Sequence, residues 1–294
     1  MNAWWDDTAG IERVAGGAGW LEGPAWTPWG LLVSDLPANR ILRWDGTDGF
    51  EVFVADAEFS NGRTVGRDGR VYQCSHGRRA IEELHADGST TTLVDRYLGV
   101  RLNSPNDLVE GPDGALWFTD PPYGIVQAHE GHPGEREYGD HYVFRFDPAD
   151  GSLRPVVVDA EEPNGLAFSP DGRTLYVADS SAALRSDGSG NRLIRAYDVV
   201  AGRAAKNGRV FATMTEGLAD GFRVDAEGRL WTSHGANLTV IASDGTWLET
   251  IGLPEKVGNL CFGGPAGNQL YLAASSSLYR LHTHTTDAAR GFWS

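Results

Sequence analysis

Cysteine is nearly missing from this chain: only Cys74 and Cys261 occur in 294 residues. Both sit inside apolar strand-like runs, which points to reduced core thiols rather than a disulfide framework. Positive charge is scarce as well. Twenty-five basic residues against 40 acidic ones leave a formal charge of −15, which opposes phosphate backbones and anionic membrane surfaces and argues against nucleic-acid or membrane partners. No segment approaches the ~20 uninterrupted apolar residues of a membrane-spanning helix. The opening MNAWWDDTAGIERV has neither the basic region nor the apolar stretch of a secretory leader. A soluble, cytoplasmic protein is expected. Helical periodicity and linker-like segments are lacking too, which leaves a single domain over residues 1–294.

What the chain does have is a repeat. Six segments share one spacing: EGPAWTPWG from Glu22, NGRTVGRDG from Asn61, NDLVEGPDG from Asn106, NGLAFSPDG from Asn164, DGFRVDAEG from Asp220 and NLCFGGPAG from Asn259. In each, an acidic or amide residue stands eight positions before a turn glycine: Gly30, Gly69, Gly114, Gly172, Gly228 or Gly267. A β-rich run follows every glycine, so each unit opens as a hairpin. Third strands follow in all six units, from ILRWDG to LYRLHT, but fourth strands in only five. IERVAG at Ile11–Gly16 can supply the missing strand and close a ring. Units of four antiparallel strands predict an all-β, six-bladed β-propeller. An open β-sandwich is the competing architecture, but it has no need of six equivalent hairpins.

First strands of blades line the central channel, so Glu22, Asn61, Asn106, Asn164, Asp220 and Asn259 are expected to ring one mouth. Six oxygen-bearing side chains, two of them acidic and none cationic, suit a hard divalent cation such as Ca²⁺, Mg²⁺ or Mn²⁺. Asn and Asp also cap backbone groups at strand starts, but capping gives no reason to place two carboxylates in an otherwise amide-rich mouth. Second strands end at the same face with Asp35, Ser75, Asp120, Asp179, His234 and Ala274, a second polar ring. His234 is a candidate proton-transfer group or ligand or, more plainly, a neutral hydrogen-bonded histidine beside the site. Long connections in blade three (DPPYGIVQAHEGHPGEREYGDH) and blade four (SSAALRSDGSGN) emerge there and can form a lid. Arg101 and Asn103, in RLNSPND, approach from the same side as candidate substrate contacts. Trp4, Trp5 and Trp293, near the termini, are expected either to be exposed and mark a contact or, as terminal aromatics often do, to pack on their own domain; the oligomeric state stays open.

EGPAW, RLNSPND with WFTDPPYG, PNGLAFSPDG with LYVADS, ADGFRVDAEGRLW and NLCFGG, in this order between Glu22 and Tyr279, resemble the senescence marker protein, gluconolactonase and luciferin-regenerating enzyme family. The RLNSPND form resembles the bacterial gluconolactonases more than the animal proteins. The resemblance implies a six-bladed propeller with one divalent metal in its channel, held by Glu22, Asn164 and Asp220, with Asn106 contacting metal or substrate. It also implies hydrolysis of sugar lactones. On that reading the metal, Ca²⁺ first with Mg²⁺, Mn²⁺, Zn²⁺ or Fe²⁺ as alternatives, acts as a Lewis acid on the lactone carbonyl. Asp220 orients or deprotonates the attacking water; a covalent variant, in which Asp220 attacks directly, resembles proposals for diisopropyl fluorophosphatases. Arg101, Asn103, Asn106, Tyr123 and His234 are the expected substrate-facing residues. Two rival functions use the same ring: a metal hydrolase of phosphotriesters or non-sugar lactones, and a non-catalytic binding propeller.

Overall fold

Each repeated phrase folds as a strand, a turn at its glycine and a second strand, and two further strands complete a four-stranded antiparallel sheet. The computed structural model describes residues 4–47 and 49–293, the side chains of 291–293 excepted. Blade one consists of Leu21–Thr27, Gly30–Asp35, Arg40–Trp44 and Glu51–Val54. Blade two consists of Ser60–Val65, Val71–Ser75, Ala80–Leu84 and Thr90–Val94. Blade three follows with Leu108–Glu110, Leu116–Thr119, Val143–Asp147 and Ser152–Val157. Blade four is Pro163–Phe168, Thr174–Asp179, Leu193–Val200 and Ala204–Thr213. Blade five is Phe222–Val224, Leu230–Ser233, Asn237–Ile241 and Trp247–Gly252.

The sixth blade supplies three strands, Val257–Gly263, Gln269–Ala274 and Ser277–His282. Its fourth is Glu12–Gly16, pairing antiparallel with Glu12 opposite Arg280 and Gly16 opposite Ser277. The N-terminal strand thus closes the ring as the strand count requires. Each innermost strand touches that of the next blade all the way round, blade six meeting blade one. The chain is a six-bladed β-propeller.

Burial falls from the channel outward: Pro163–Phe168 is buried at every position, whereas Thr90–Val94 is half or fully exposed. The apolar core lies in the seams between blades. Trp231, Leu238 and Val240 of blade five pack with Leu260, Leu270 and Leu272 of blade six, and truncating a Trp in such a seam costs about 3–5 kcal/mol. Trp5 packs into this seam, with Trp4 laid partly buried against it. Terminal aromatic rings here serve the chain's own core, while the Trp293 side chain lies outside the described residues. Cys74 and Cys261 are buried free thiols, and burial pushes Cys261 up to about 12. Among the described residues no helix is long and apolar enough to cross a membrane.

The channel wall depends on the glycine that follows several ring residues. A side chain at Gly62 would bring its Cβ to 2.5 Å from the Asn106 carbonyl, and one at Gly165 would collide with the Asp220 carbonyl. Because these positions are bare, inner strands of neighbouring blades come within hydrogen-bond reach: Gly62 N–H donates to Asn106 O at 2.8 Å and Gly165 N–H to Asp220 O at 3.1 Å. Two insertions rise beside the same mouth. Blade three carries the one-turn helix Tyr123–Val126, and blade four the 3₁₀ turn Ser181–Leu184.

Candidate active site

Pairing of first and second strands sets where each ring side chain points. Ala25, Thr64, Val109, Ala167, Arg223 and Cys261 stand opposite Leu32, Tyr72, Trp117, Tyr176, Trp231 and Tyr271. Three residues before them lie Glu22, Asn61, Asn106, Asn164 and Asp220, but in blade six Gly258 rather than Asn259. Spacing from the turn glycine misplaces Asn259 because the first strand of blade six runs one residue further, to Gly263, before a turn that Gly264 opens as Gly66 does in blade two. Its amide is therefore directed one step down the channel, where Nδ2 lies 3.4 Å from Asp107 Oδ2. Gly258 leaves the sixth place to the Glu22 carboxylate, into which a side chain there would run.

Five of the six expected residues line one cavity of about 100 Å³ together with Trp20, Leu36, Tyr123, Gln127, Glu130, Ala183 and Leu218. Glu22, Asn61, Asn106 and Asn164 are buried, and Asp220 keeps part of its surface accessible. Loss of water around Glu22, followed by the negative charge of Asp220, holds its carboxyl well above the usual range. Asp220 is pushed up to about 7 by desolvation and then by Glu130, against which an Asn164 hydrogen bond works. Beneath them a buried plug crosses the channel, with Arg223 Nη1 3.5 Å from Asp107 Oδ2.

Gln127 and Glu130 were not legible as site residues: they belong to an insertion that occurs once, so no repeat marks them. Tyr123, at the start of the same segment, closes over the ring as expected; its hydroxyl donates toward Ser180 O at 3.5 Å and bonds the Asn164 side chain. His76 borders the ring. Burial pushes it down to about 4, and its Nε2 lies 3.1 Å from Asn61 Nδ2.

Three expected substrate contacts fall elsewhere. Asn103 is fully buried, its Nδ2 spent on Asp120 O, Tyr138 Oη and Asp140 O at 2.8–3.0 Å. Arg101 does not line the cavity; its Nη2 donates to Arg78 O at 3.1 Å and its backbone N–H to Glu137 Oε2 at 2.8 Å. His234 is turned away too. Its Nε2 accepts the Glu216 N–H at 3.2 Å, Nδ1 faces Thr239 Oγ1, and the ring stands edge-on to Trp247. It plays the plainer of the two parts foreseen for it, because burial disfavours its charged form.

The second polar ring has its own use. Asp35 accepts the Gly19 N–H at 2.9 Å, Asp120 the Asn103 N–H at 2.8 Å, and Asp179 the Glu161 N–H at 3.0 Å. In three blades, then, the carboxylate ending the second strand clamps the chain that leads into the ring residue. In blade five Ser233 Oγ accepts the Asp220 N–H at 2.8 Å.

The donor set fits a hard cation. From the ring, two carboxylates that repel one another and three amide side chains line one small cavity, which Gln127 and the third carboxylate Glu130 complete, and a bound cation would relieve the strain on Glu22 and Asp220. No group of three or more His, Cys, Asp or Glu side chains arranged for a metal occurs among the described residues, so any ion here depends on amide oxygens. With His234 directed elsewhere, the nitrogen donor that left softer metals open is not at hand. A larger cavity of about 290 Å³ lies further along the inner strands, lined by Ala25, Thr64, Arg223, Cys261 and Arg290 among others. It lacks the ring's convergent oxygens.

Residues 20–276 match the family described as SMP-30/gluconolactonase/LRE-like region. A gluconolactonase of Zymomonas mobilis is 34% identical over 313 residues, covering 97% of this chain and 84% of that one. A gluconolactonase structure from Xanthomonas campestris, 40% identical, superposes with a TM-score of 0.84 over 93% of this chain and 89% of the other. A pentonolactonase of Haloferax volcanii is 27% identical over 264 residues, 86% of this chain and 81% of that one.

Proposed function

Because the chain belongs to the SMP-30/gluconolactonase/LRE-like family, we propose that it opens sugar lactones to hydroxy acids, with a divalent cation, Ca²⁺ foremost, held by Glu22, Asn106, Asn164 and Asp220. The observation that carries this reading is the convergence of Glu22, Asp220 and three asparagines on one cavity beneath an insertion bearing Tyr123, Gln127 and Glu130. When bound, such an ion supplies Lewis acidity to the lactone carbonyl.

The chain's own residues do the rest. Asp220, at about 7 without an ion, accepts or directs the proton of the water whose oxygen joins the carbonyl carbon; the ring C–O bond breaks, and the proton ends on the departing alkoxide. Glu22 supplies negative charge to the cation from a buried position. Asn106 and Asn164 present amide oxygens, while the Tyr123 hydroxyl and the Gln127 and Glu130 side chains face the sugar hydroxyls and keep bulk water from the carbonyl. The test is a pH-indicator screen of the purified protein over aldonolactones, non-sugar lactones and phosphotriesters, with and without chelator. Ring opening of aldonolactones, lost on chelation and restored by Ca²⁺ or Mn²⁺, is expected. Turnover of phosphotriesters alone, or of nothing at all with metal supplied, would refute the proposal.

A further inference from the structure

We propose that His76 is a positioning residue that keys the blade-three insertion to the ring: its Nδ1–H holds the Glu130 carbonyl, and its Nε2 lone pair holds the Asn61 amide. The proton assignment follows from the partners. Glu130 O, 2.9 Å from Nδ1, is a backbone carbonyl and only accepts, so Nδ1 carries the hydrogen. His76 is fully buried, and no acidic side chain forms an ion pair with it among the described residues. A second proton would place an uncompensated charge there. Nε2 is therefore an acceptor, Asn61 must turn its NH₂ toward it at 3.1 Å, and Asn61 Oδ1 is the end left for the cavity.

The surroundings are built around this link. The helix Tyr123–Val126 lies directly on His76: a Cβ at Gly124 would come within 2.6 Å of the His76 Cβ and 2.9 Å of Nδ1. The returning chain crosses so closely that a side chain at Gly131 would collide with the Gly124 carbonyl. On the other side, Glu58 and Phe59 are successive non-glycine residues with φ of 49° and 50°, a conformation L residues seldom adopt. Their carbonyls accept the N–H groups of Gly77 at 2.9 Å and His76 at 3.2 Å. One imidazole thus joins the Asn61 amide of the ring in blade two to the segment carrying Gln127 and Glu130.

The consequence for catalysis rests on the lactonase reading, whereas the link itself does not, and the experiment separates the two. In ¹⁵N-histidine-labelled protein, the His76 ring is expected as the Nδ1–H tautomer between pH 6 and 8. Two substitutions divide its functions. In His76→Asn the amide nitrogen stands near the Nδ1 position, so hydrogen exchange over residues 123–134 stays as in the parent, while the Ca²⁺ dissociation constant by calorimetry rises about tenfold as Asn61 is freed. In His76→Gln the side-chain oxygen reaches toward the Nε2 position, so Ca²⁺ affinity stays within about twofold while exchange over 123–134 quickens about tenfold and KM rises with kcat retained. An Nε2–H tautomer, or parental exchange and affinity in both variants, overturns the proposal. Should the parent bind no Ca²⁺ and open no lactone, the functional reading fails, and tautomer and exchange still decide the role of His76.

Discussion

Asp220 of the inner ring and Asp120 of the outer ring are the same residue type at the same channel mouth, and both carboxyls are pushed up to about 7. The neighbours differ. Asp120 is wrapped by donors, the Asn103 N–H and the Tyr138 hydroxyl each at 2.8 Å, so desolvation alone raises it against hydrogen bonds that pull the other way. Asp220 has one side-chain donor, Asn164, and is raised by negative neighbours as well as by desolvation. The outer carboxylate spends Oδ2 on two donors of the fold, with Oδ1 buried beside them, while the inner one faces the cavity among negative neighbours. A shifted pKa thus does not by itself tell structure from function; the partner list does.

The sharpest way to break this contrast is to neutralise the inner carboxylate. Asp220→Asn is expected to lower kcat/KM for lactones by about 10³ or more, with circular dichroism and thermal unfolding close to the parent. A metal-loaded Asp220→Asn enzyme working at the parental rate would remove Asp220 from the mechanism. Next comes Glu22→Gln, which keeps the shape but removes a charge. Here Ca²⁺ affinity measured by calorimetry is expected to fall about 100-fold, and raising Ca²⁺ should recover part of the activity.

Titration sharpens the comparison without mutation. Glu22 and Asp220 are raised above their unfolded values in the ion-free protein. Their contribution to stability is therefore present below pH ~4 and is lost as pH rises, through about 7 for Asp220 and through its own raised range for Glu22. The ion-free melting temperature is expected to drop by roughly 5 °C between pH 5 and 8, and added Ca²⁺ should raise it more at pH 8 than at pH 5, where protons compete for the same oxygens. Equal Ca²⁺ effects at the two pH values would count against binding through these carboxylates. Asp120→Ala tests the outer ring. It strands the Asn103 N–H and Tyr138 hydroxyl in the interior and is expected to cost about 2 kcal/mol of stability by urea unfolding, with kcat of the surviving folded enzyme nearly unchanged.

The propeller was legible because it is written six times: the hairpins, the closing strand Glu12–Gly16 and five ring residues all follow from spacing. Where the first strand ran one residue further before its turn, in blade six, the inference slipped by one and put Asn259 in the ring instead of Gly258. A single-residue shift turns a strand side chain to another neighbour. Asn103 and His234 show a different limit. Polar residues near a mouth look alike in sequence whether they face a cavity or hold a loop, because what separates them is hydrogen bonding across blades. Gln127, Glu130 and His76 escaped for want of a pattern: the first two lie in an insertion without a counterpart, and His76 stands one residue beyond the second ring.

Arg101 tests that limit with the smallest expected effect. It is a cation in a phrase shared with lactonase-like sequences, which made it an attractive substrate contact. Its guanidinium nevertheless donates to Arg78 O, and it stands apart from the residues lining the cavity. Arg101→Gln preserves length and a donor while removing the charge, so KM and kcat for an aldonolactone are each expected within about threefold of the parent, and stability within about 0.5 kcal/mol. A KM increase of tenfold or more, without loss of stability, would mean that the strand Val100–Arg101 turns toward the mouth when substrate binds. The segment leading into Asn106 would then share in recognition, and the division between residues that face the cavity and residues that hold a loop would be one of degree.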